Sequence, residues 1–233
     1  MNQILGVITA RGGSKGIPRK NLVRLAGKQL VQWTVEAALG SKLLTRLILS
    51  TDDPEIAALA RELGVDVPFM RPEELSTDDA PTVPVLQHAV DFLERKGFSF
   101  DAICLLQPTS PLRKTQHIND CIEMLFEENA DAVVSVLTVP HQYNPHWVYL
   151  QNEDATLRLS TAEREPIPRR QLLPPAFHRD GSVYVVRRDV LMEQNSLFGQ
   201  RLVGYPLDSD QAVNIDSAEQ LAQAEELLLL REE

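Results

Sequence analysis

Eleven consecutive positions, Arg11 to Asn21, hold four basic residues, three glycines and a serine directly behind a short apolar run. Such a segment suits a polyanion. The glycines let phosphate oxygens approach the main chain, and successive backbone N–H groups in such a turn form an anion nest. Arg11, Arg19 and Lys20 can then neutralise a triphosphate or a leaving pyrophosphate. The competing reading is a solvated basic loop. Charge distribution favours the functional one: the first acidic residue is Glu36, and the opening 35 residues contribute +6 to a chain of net charge −10, leaving −16 on the other 198. The loop is no Walker A sequence, because no Gly-Lys-Ser/Thr closes it. Its glycines at 12, 13 and 16 also miss the G-x-G-x-x-G spacing of a dinucleotide fold.

The elements that would carry this loop alternate between strand and helix. Ile4–Thr9 reads as a buried strand, and Leu30–Leu39 as a helix. Arg46–Ser50 reads as a second strand, and Asp53-Pro54 as an N-cap with proline at the first helical position. Ile56, Leu59, Ala60 and Leu63 follow at helical spacing. Leu86, Ala89, Val90 and Leu93 repeat it, as do Ile118, Cys121, Ile122 and Leu125. Asp101–Gln107 and Ala132–Thr138 are short and apolar, and Val183–Val186 returns to a strand pattern. This order predicts an α/β fold, a Rossmann-like, mostly parallel sheet with helices on both faces. Ligands of such sheets gather at the carboxyl ends of the strands. The loops at 11–21, 50–53 and 107–113 all fall on that edge, which predicts one site. Residues 140–181 carry six prolines and little helical period. They read as an irregular insertion with hairpin character inside a single domain of residues 1–233, able to cover the site or pair with another subunit. Ser217 to Leu230 reads as a last helix, with Asp216 and Glu219 as its capping box.

Composition narrows the function further. At 43% hydrophobic and 24% charged residues the chain can bury a proper core. The acidic balance argues against nucleic acid as a partner. No apolar run is long enough for a membrane span, and the N-terminus lacks the basic start of a secretory signal. Two cysteines in apolar contexts, Cys104 and Cys121, point to packing and to a reducing cytoplasm. Asp78 and Asp79, behind Ser76-Thr77, read as helix-capping and turn residues rather than a metal pair. The five histidines show neither metal-ligand spacing nor a nucleophile partner.

The segment Ala10-Arg11-Gly12-Gly13-Ser14-Lys15-Gly16-Ile17-Pro18-Arg19-Lys20-Asn21 resembles the signature of the CMP-sialic acid synthetases, the acylneuraminate cytidylyltransferases. Ser50-Thr51-Asp52-Asp53, the run from Arg71 to Asp78, the run from Leu105 to Arg113, and Arg170-Gln171 resemble further family blocks in the family's order. The resemblance implies a nucleotidyltransferase in which the anomeric hydroxyl of a nonulosonic, sialic-type sugar acid attacks the α-phosphate of CTP and pyrophosphate leaves. It implies Mg²⁺ (or Mn²⁺) as cofactor and a homodimer as the assembly. By resemblance, Arg11, Gly12, Gly13, Ser14 and Lys20 hold the triphosphate, and Asn21, Arg71 and Thr82 the cytidine and its ribose. Gln107 contacts the sugar acid. Arg170 faces the sugar, often from the partner subunit.

This chain departs from the family pattern at two places. Where the family carries Asp-x-Asp it has Asn214-Ile215-Asp216. Alternate residues on an extended segment point the same way, so Asn214 and Asp216 can reach one ion, the asparagine with a neutral oxygen; Asp216 also suits the N-cap of the last helix. The sugar end differs as well. Sialic acid enzymes commonly show Arg-x-Asn-Gly-Ala, and this chain has His178-Arg179-Asp180-Gly181-Ser182; Trp147 stands where bacterial relatives place a lysine. His178 and Trp147 are therefore the candidate substrate-contacting residues of this end. The departures make a legionaminate-type or deaminated acid as good a candidate as N-acetylneuraminate. Another sugar acid, another nucleotide, or a nucleotide-binding protein with a degenerate metal site are the alternatives the sequence leaves.

Overall fold

The computed structural model describes residues 2–209 and 212–230. Elements follow in the order β1 (Ile4–Thr9), β2 (Arg24–Leu25), β3 (Lys28–Gln29), α1 (Leu30–Leu39), β4 (Arg46–Ser50), α2 (Pro54–Glu62), α3 (Thr82–Glu94), β5 (Ala102–Leu106), α4 (Thr115–Glu127), β6 (Ala132–Thr138), β7 (Tyr149–Gln151), β8 (Leu157–Leu159), β9 (Phe177–Arg187), α5 (Arg188–Glu193), β10 (Leu202–Leu207) and α6 (Ala218–Leu229). Six strands form one sheet in the order β10-β6-β9-β5-β1-β4, in which β9 alone runs antiparallel to its neighbours.

Alternation along each strand sends side chains to opposite faces. Ile4 and Ile8 of β1 and Cys104 and Leu106 of β5 pack with α1, α2 and α4. Leu5 and Val7, with Ile103 and Leu105, pack with α3 and α5 on the other face. The expected layers are present. Asp53 caps α2: its Oδ1 accepts from the N–H groups of Glu55 and Ile56 at 2.8 and 3.1 Å, with Pro54 as the first helical residue.

Three local expectations are corrected. The N-cap of α6 is Ser217, whose Oγ accepts from Gln220 N–H while the Gln220 side chain accepts from the Ser217 N–H at 2.9 Å. Asp216 is thereby left free of the capping role. Asp78 does not cap α3, whose N-cap is Pro81 with no side-chain cap. Finally, β9 is longer than its apolar centre suggests, because its first residues extend past β5 to pair with β6 alone. The sequence assigns no element to β10; Pro206 is tolerated there because the strand lies at the sheet edge. The segment between β6 and β9 carries a short hairpin, β7 against β8.

Strand direction decides what meets at one rim. The carboxyl ends of β1, β4, β5, β6 and β10 lie together because these strands are parallel. The reversed β9 delivers its opening residues to the same rim, since Val183 pairs with Leu106 at the end of β5. β1 connects to β4 on one side while β5 lies on its other side, so the topological switch point falls between β1 and β5.

Candidate functional site

The loop after β1 lies at this switch point and lines a cleft of about 460 Å³. Arg11, Gly13, Ser14, Lys15, Gly16, Lys20 and Asn21 line it from the loop, and Arg71, Thr77, Asp78 and Thr82 from the stretch between α2 and the start of α3. Gln107, Thr109 and Asp216 close the end, so three sequence-distant loops meet as the strand order requires.

Inside the loop, several polar groups are engaged in holding its shape. Asn21, nearly buried, donates from Nδ2 to the Arg11 carbonyl at 2.8 Å. The Ser14 hydroxyl donates to the Ile17 carbonyl and accepts from Lys20 N–H. The Gly12 N–H donates to Asp52 Oδ1 at 2.9 Å, so this amide is not available to a nest. Among the described residues the N–H groups of Gly13, Ser14, Lys15 and Gly16 have no partner, and all four residues line the cleft. Two glycines are required by close approach: a Cβ at Gly12 would stand 2.8 Å from Asp53 Oδ2, and one at Gly16 would collide with the Asp216 carbonyl oxygen. A Cβ at Gly13 would meet nothing within 4 Å.

Each loop cation rests on a carboxylate. Arg11 pairs with Asp78 at 2.7 Å and donates to the Thr77 carbonyl at 2.7 Å. Lys15 lies 3.5 Å from Asp78 and 3.8 Å from Asp79. Arg19 bridges Asp53 and Glu55 at 3.0 and 2.9 Å. Lys20, the most enclosed of the four, binds the Ile215 carbonyl at 2.7 Å and Asp216 Oδ1 at 2.9 Å. The exposed pairs of Arg11, Lys15 and Arg19 contribute only about 0.2–1 kcal/mol each, so a ligand with several charges can displace them. Sequence reasoning gave Asp78 the wrong role because its partners lie about 65 positions away in the chain.

Arg71 is buried and tied to the end of β4: its Nε donates to Ser50 Oγ at 3.0 Å and its Nη2 to the Ser50 carbonyl. Burial first, partly offset by Asp52, lowers its pKa to about 10, so the guanidinium stays charged at neutral pH. It lines the cleft as a fixed cation, and Thr82 lines the same cleft.

A second cleft of about 360 Å³ adjoins the first and shares Thr82, Gln107, Thr109 and Asp216 with it. Its own polar lining comes from β9 and the 212–216 segment, with Arg179, Asp180, Gly181, Tyr184 and Asn214, and Leu105 and Leu197 add apolar surface. Arg179 is the one cation in that lining. Asp180 is held by the hydroxyls of Ser135 and Ser182. Gly181 has φ +88°, a backbone state that favours glycine, and its missing Cβ would stand 3.2 Å from Gln107 Oε1.

Five expected residues line neither cleft: Gly12, whose N–H is taken by Asp52, Arg19, which is held by Asp53 and Glu55, and His178, Trp147 and Arg170. His178 is exposed, with Nδ1 3.2 Å from the Arg179 carbonyl. Trp147 is half-buried within the insertion and donates from Nε1 to the Ile167 carbonyl at 2.7 Å. Arg170 is exposed in a short 3-10 turn. In contrast, Arg179 and Tyr184 were missed as site residues: Arg179 lies inside the departing block His178–Ser182, where His178 was chosen instead, and Tyr184 is marked only by its place in a strand whose direction the sequence leaves open.

Asn214 and Asp216 are side by side, Nδ2 to Oδ2 at 3.2 Å; Asp216 lines both clefts and Asn214 the second. No group of three or more His, Cys, Asp or Glu side chains is clustered among the described residues. One carboxylate and one amide oxygen fit Mg²⁺, which keeps several waters and takes ligands from substrate phosphates as readily as from protein.

Residues 5–233 match the family model described as Cytidylyltransferase. The chain is 30% identical to Post-translational flagellin modification protein B of Campylobacter coli over 220 residues, 93% of this chain and 91% of that one. It is 32% identical to CMP-N,N'-diacetyllegionaminic acid synthase of Legionella pneumophila over 238 residues, 99% and 98% of the two chains. The solved structure of a CMP:2-keto-3-deoxy-manno-octonic acid synthetase complexed with CTP shares the fold, with a TM-score of 0.72 over 98% of this chain and 99% of that one, at 18% identity. A phosphate-suited loop at the switch point and a family match over nearly the whole length lead to one conclusion: the chain belongs to the cytidylyltransferases and is a nucleotidyltransferase.

Proposed function

We propose that the protein transfers CMP from CTP to the anomeric hydroxyl of a nonulosonic sugar acid and releases pyrophosphate. The observation that carries this reading is the pair of adjoining clefts, one lined by the basic loop and the other by Arg179, sharing Gln107, Thr82, Thr109 and Asp216. A nucleotide triphosphate in the first and an acid in the second would bring the α-phosphate and the hydroxyl to the shared wall. The names of the relatives support a sugar acid as acceptor.

In this reading Arg11, Lys15 and Lys20 exchange their carboxylate partners for phosphate oxygens, and the free N–H groups from Gly13 to Gly16 add neutral donors. Arg11 and Lys20 then neutralise the charge that develops on the leaving pyrophosphate. Asn21 shapes the loop from beneath, and Arg71 and Thr82 serve the nucleoside end. Gln107 contacts the acceptor. Asp216, assisted by Asn214, would hold Mg²⁺, which when bound supplies further charge neutralisation of the phosphates.

The insertion at 140–181 serves as lid and dimer contact in the same proposal. Tyr143, Tyr149, Leu150, Leu157, Leu172 and Phe177 are exposed large apolar residues of this region, an unusual density for one stretch of surface. A second copy would cover them and bring its Arg170 toward the acceptor. A cytoplasmic location is supported by two free, buried cysteines, and no helix among the described residues is long and apolar enough to cross a membrane.

The test is pyrophosphate release measured across a panel of sugar acids with CTP, UTP, GTP and ATP. Release with CTP and a nonulosonic acid is expected. Release with GTP but not CTP would sink the proposal.

A further inference from the structure

Arg113 lies beneath the second cleft, at 5% exposure. Its Nε donates to the Ser182 carbonyl at 2.7 Å and its Nη2 to the Gln107 carbonyl. Nη1 has no partner, and no carboxylate lies within ion-pair distance among the described residues. Burial of an incompletely partnered guanidinium is unfavourable for stability, so its presence calls for a role. Burial lowers its pKa to about 10, and Asp180 acts in the opposite direction, so it remains charged at neutral pH.

The two carbonyls it binds define that role. The β5–β9 ladder ends at the pair Leu106 and Val183. The next pair in the same register would be Gln107 and Ser182. Arg113 donates to both of these carbonyls, so its guanidinium fork takes the place of the next rung of the ladder. Two strands that would otherwise close on each other are instead joined through a side chain. Immediately beyond the fork, Gln107 after β5 and Arg179, Asp180 and Gly181 of β9 line the second cleft, and a Cβ at Gly181 would stand 3.2 Å from Gln107 Oε1. Ser182 extends the tie, because its hydroxyl also holds Asp180.

We propose that Arg113 is a positioning residue: by bridging Gln107 and Ser182 where the ladder stops, it sets the separation of the two walls of the second cleft and hence the fit of the acid acceptor. The inference deepens the proposed reaction and rests on it for the identity of the ligand. A lysine could satisfy one carbonyl but not both in fixed geometry, and a methionine neither.

The test compares Arg113→Lys and Arg113→Met with wild type in the full chain, with KM for CTP, KM for the acid and kcat measured separately. Losing a charged double hydrogen bond at the cleft wall is expected to raise the acceptor KM about tenfold or more in Arg113→Met, with Arg113→Lys intermediate and the CTP KM within about twofold of wild type. A parallel rise in both KM values, or no change in either, overturns the proposal. Hydrogen exchange gives an independent readout and serves if the methionine variant fails to fold. Amides at 107–110 and 180–183 should exchange faster in Arg113→Lys, with those at 13–21 unchanged; equal exchange in both regions refutes the bridge. A wild-type enzyme that releases pyrophosphate with no sugar acid would defeat the proposed reaction, while the exchange data would still judge the bridge.

Discussion

Substituting Gly16 by alanine should damage the site through a single contact. The Cβ would collide with the Asp216 carbonyl oxygen, a main-chain atom that cannot rotate away. The segment behind it is also held: Ile215 N–H donates to the Thr109 carbonyl at 2.8 Å, and Asp216 N–H to Gln220 Oε1 at 2.8 Å. The exposed loop must therefore yield, which pulls Lys20 from the Ile215 carbonyl and from Asp216. Overpacking of this kind costs about 1–3 kcal/mol. Part of that is relieved by loop movement, so Tm should fall by no more than about 2–4 °C per kcal/mol retained. The catalytic loss is larger, because a displacement of about 1 Å in a positioning loop can cost roughly a hundredfold. Gly13→Ala is the control. Its Cβ meets nothing within 4 Å, so Tm should stay at the wild-type value, and any loss should appear in the CTP KM alone. Thermal unfolding and steady-state kinetics on both variants decide the matter. Equal damage from the two substitutions would mean that the glycines serve loop flexibility, and an unaffected Gly16→Ala would refute the close approach.

Three further outcomes are expected. Asp78→Asn frees Arg11 and Lys15 from a competing carboxylate, so calorimetric affinity for pyrophosphate should rise by about 1.5- to 5-fold at low salt, with the gain shrinking at high salt; weaker binding would show that Asp78 supports the ligand instead. Asn214→Asp places two carboxylates side by side, which should lower Tm without metal, restore it with Mg²⁺, and reduce the Mg²⁺ concentration for half-maximal rate; an unchanged metal response would remove Asn214 from the metal end. His88 packs its ring edge-on to Phe69, and burial chiefly, then Arg71, holds its pKa below the usual value against the opposing pull of Asp91 and Glu74. The unfolded chain therefore binds that proton more readily, and the stability contributed by neutral His88 is lost as pH falls below about 6.5. His88→Phe should flatten this acid limb in denaturant titrations at pH 5–7; an identical pH slope would contradict the assignment.

Much of the fold was legible because β1, α1, β4 and β6 carry unbroken apolar periods, and their bounds follow directly from them. The phosphate half of the site was legible too, since its chemistry is contiguous in the chain from Arg11 to Asn21. What the sequence concealed depends on strand direction and register. Arg179 reaches the rim only because β9 runs antiparallel and shifts register against β6 between Val134 and Val136. Arg113 reads as one residue of a loop until the ladder is seen to stop at Leu106 and Val183. Asp78 read as a cap because local patterns favour local partners, whereas Arg11 meets it only when the stretch after Arg71 folds over the loop. Ser217 rather than Asp216 caps α6, a one-residue shift that frees the Asp216 carboxylate for Lys20 and the rim.

The most direct test follows the fate of two phosphorus labels. CTP labelled at the α- or the γ-phosphate is incubated with the enzyme, Mg²⁺ and a nonulosonic acid, and the products are separated. The α label is expected in a sugar nucleotide and the γ label in pyrophosphate, both only when the acid is present. Release of either label at the same rate without acid, or transfer from GTP but not from CTP, would contradict it.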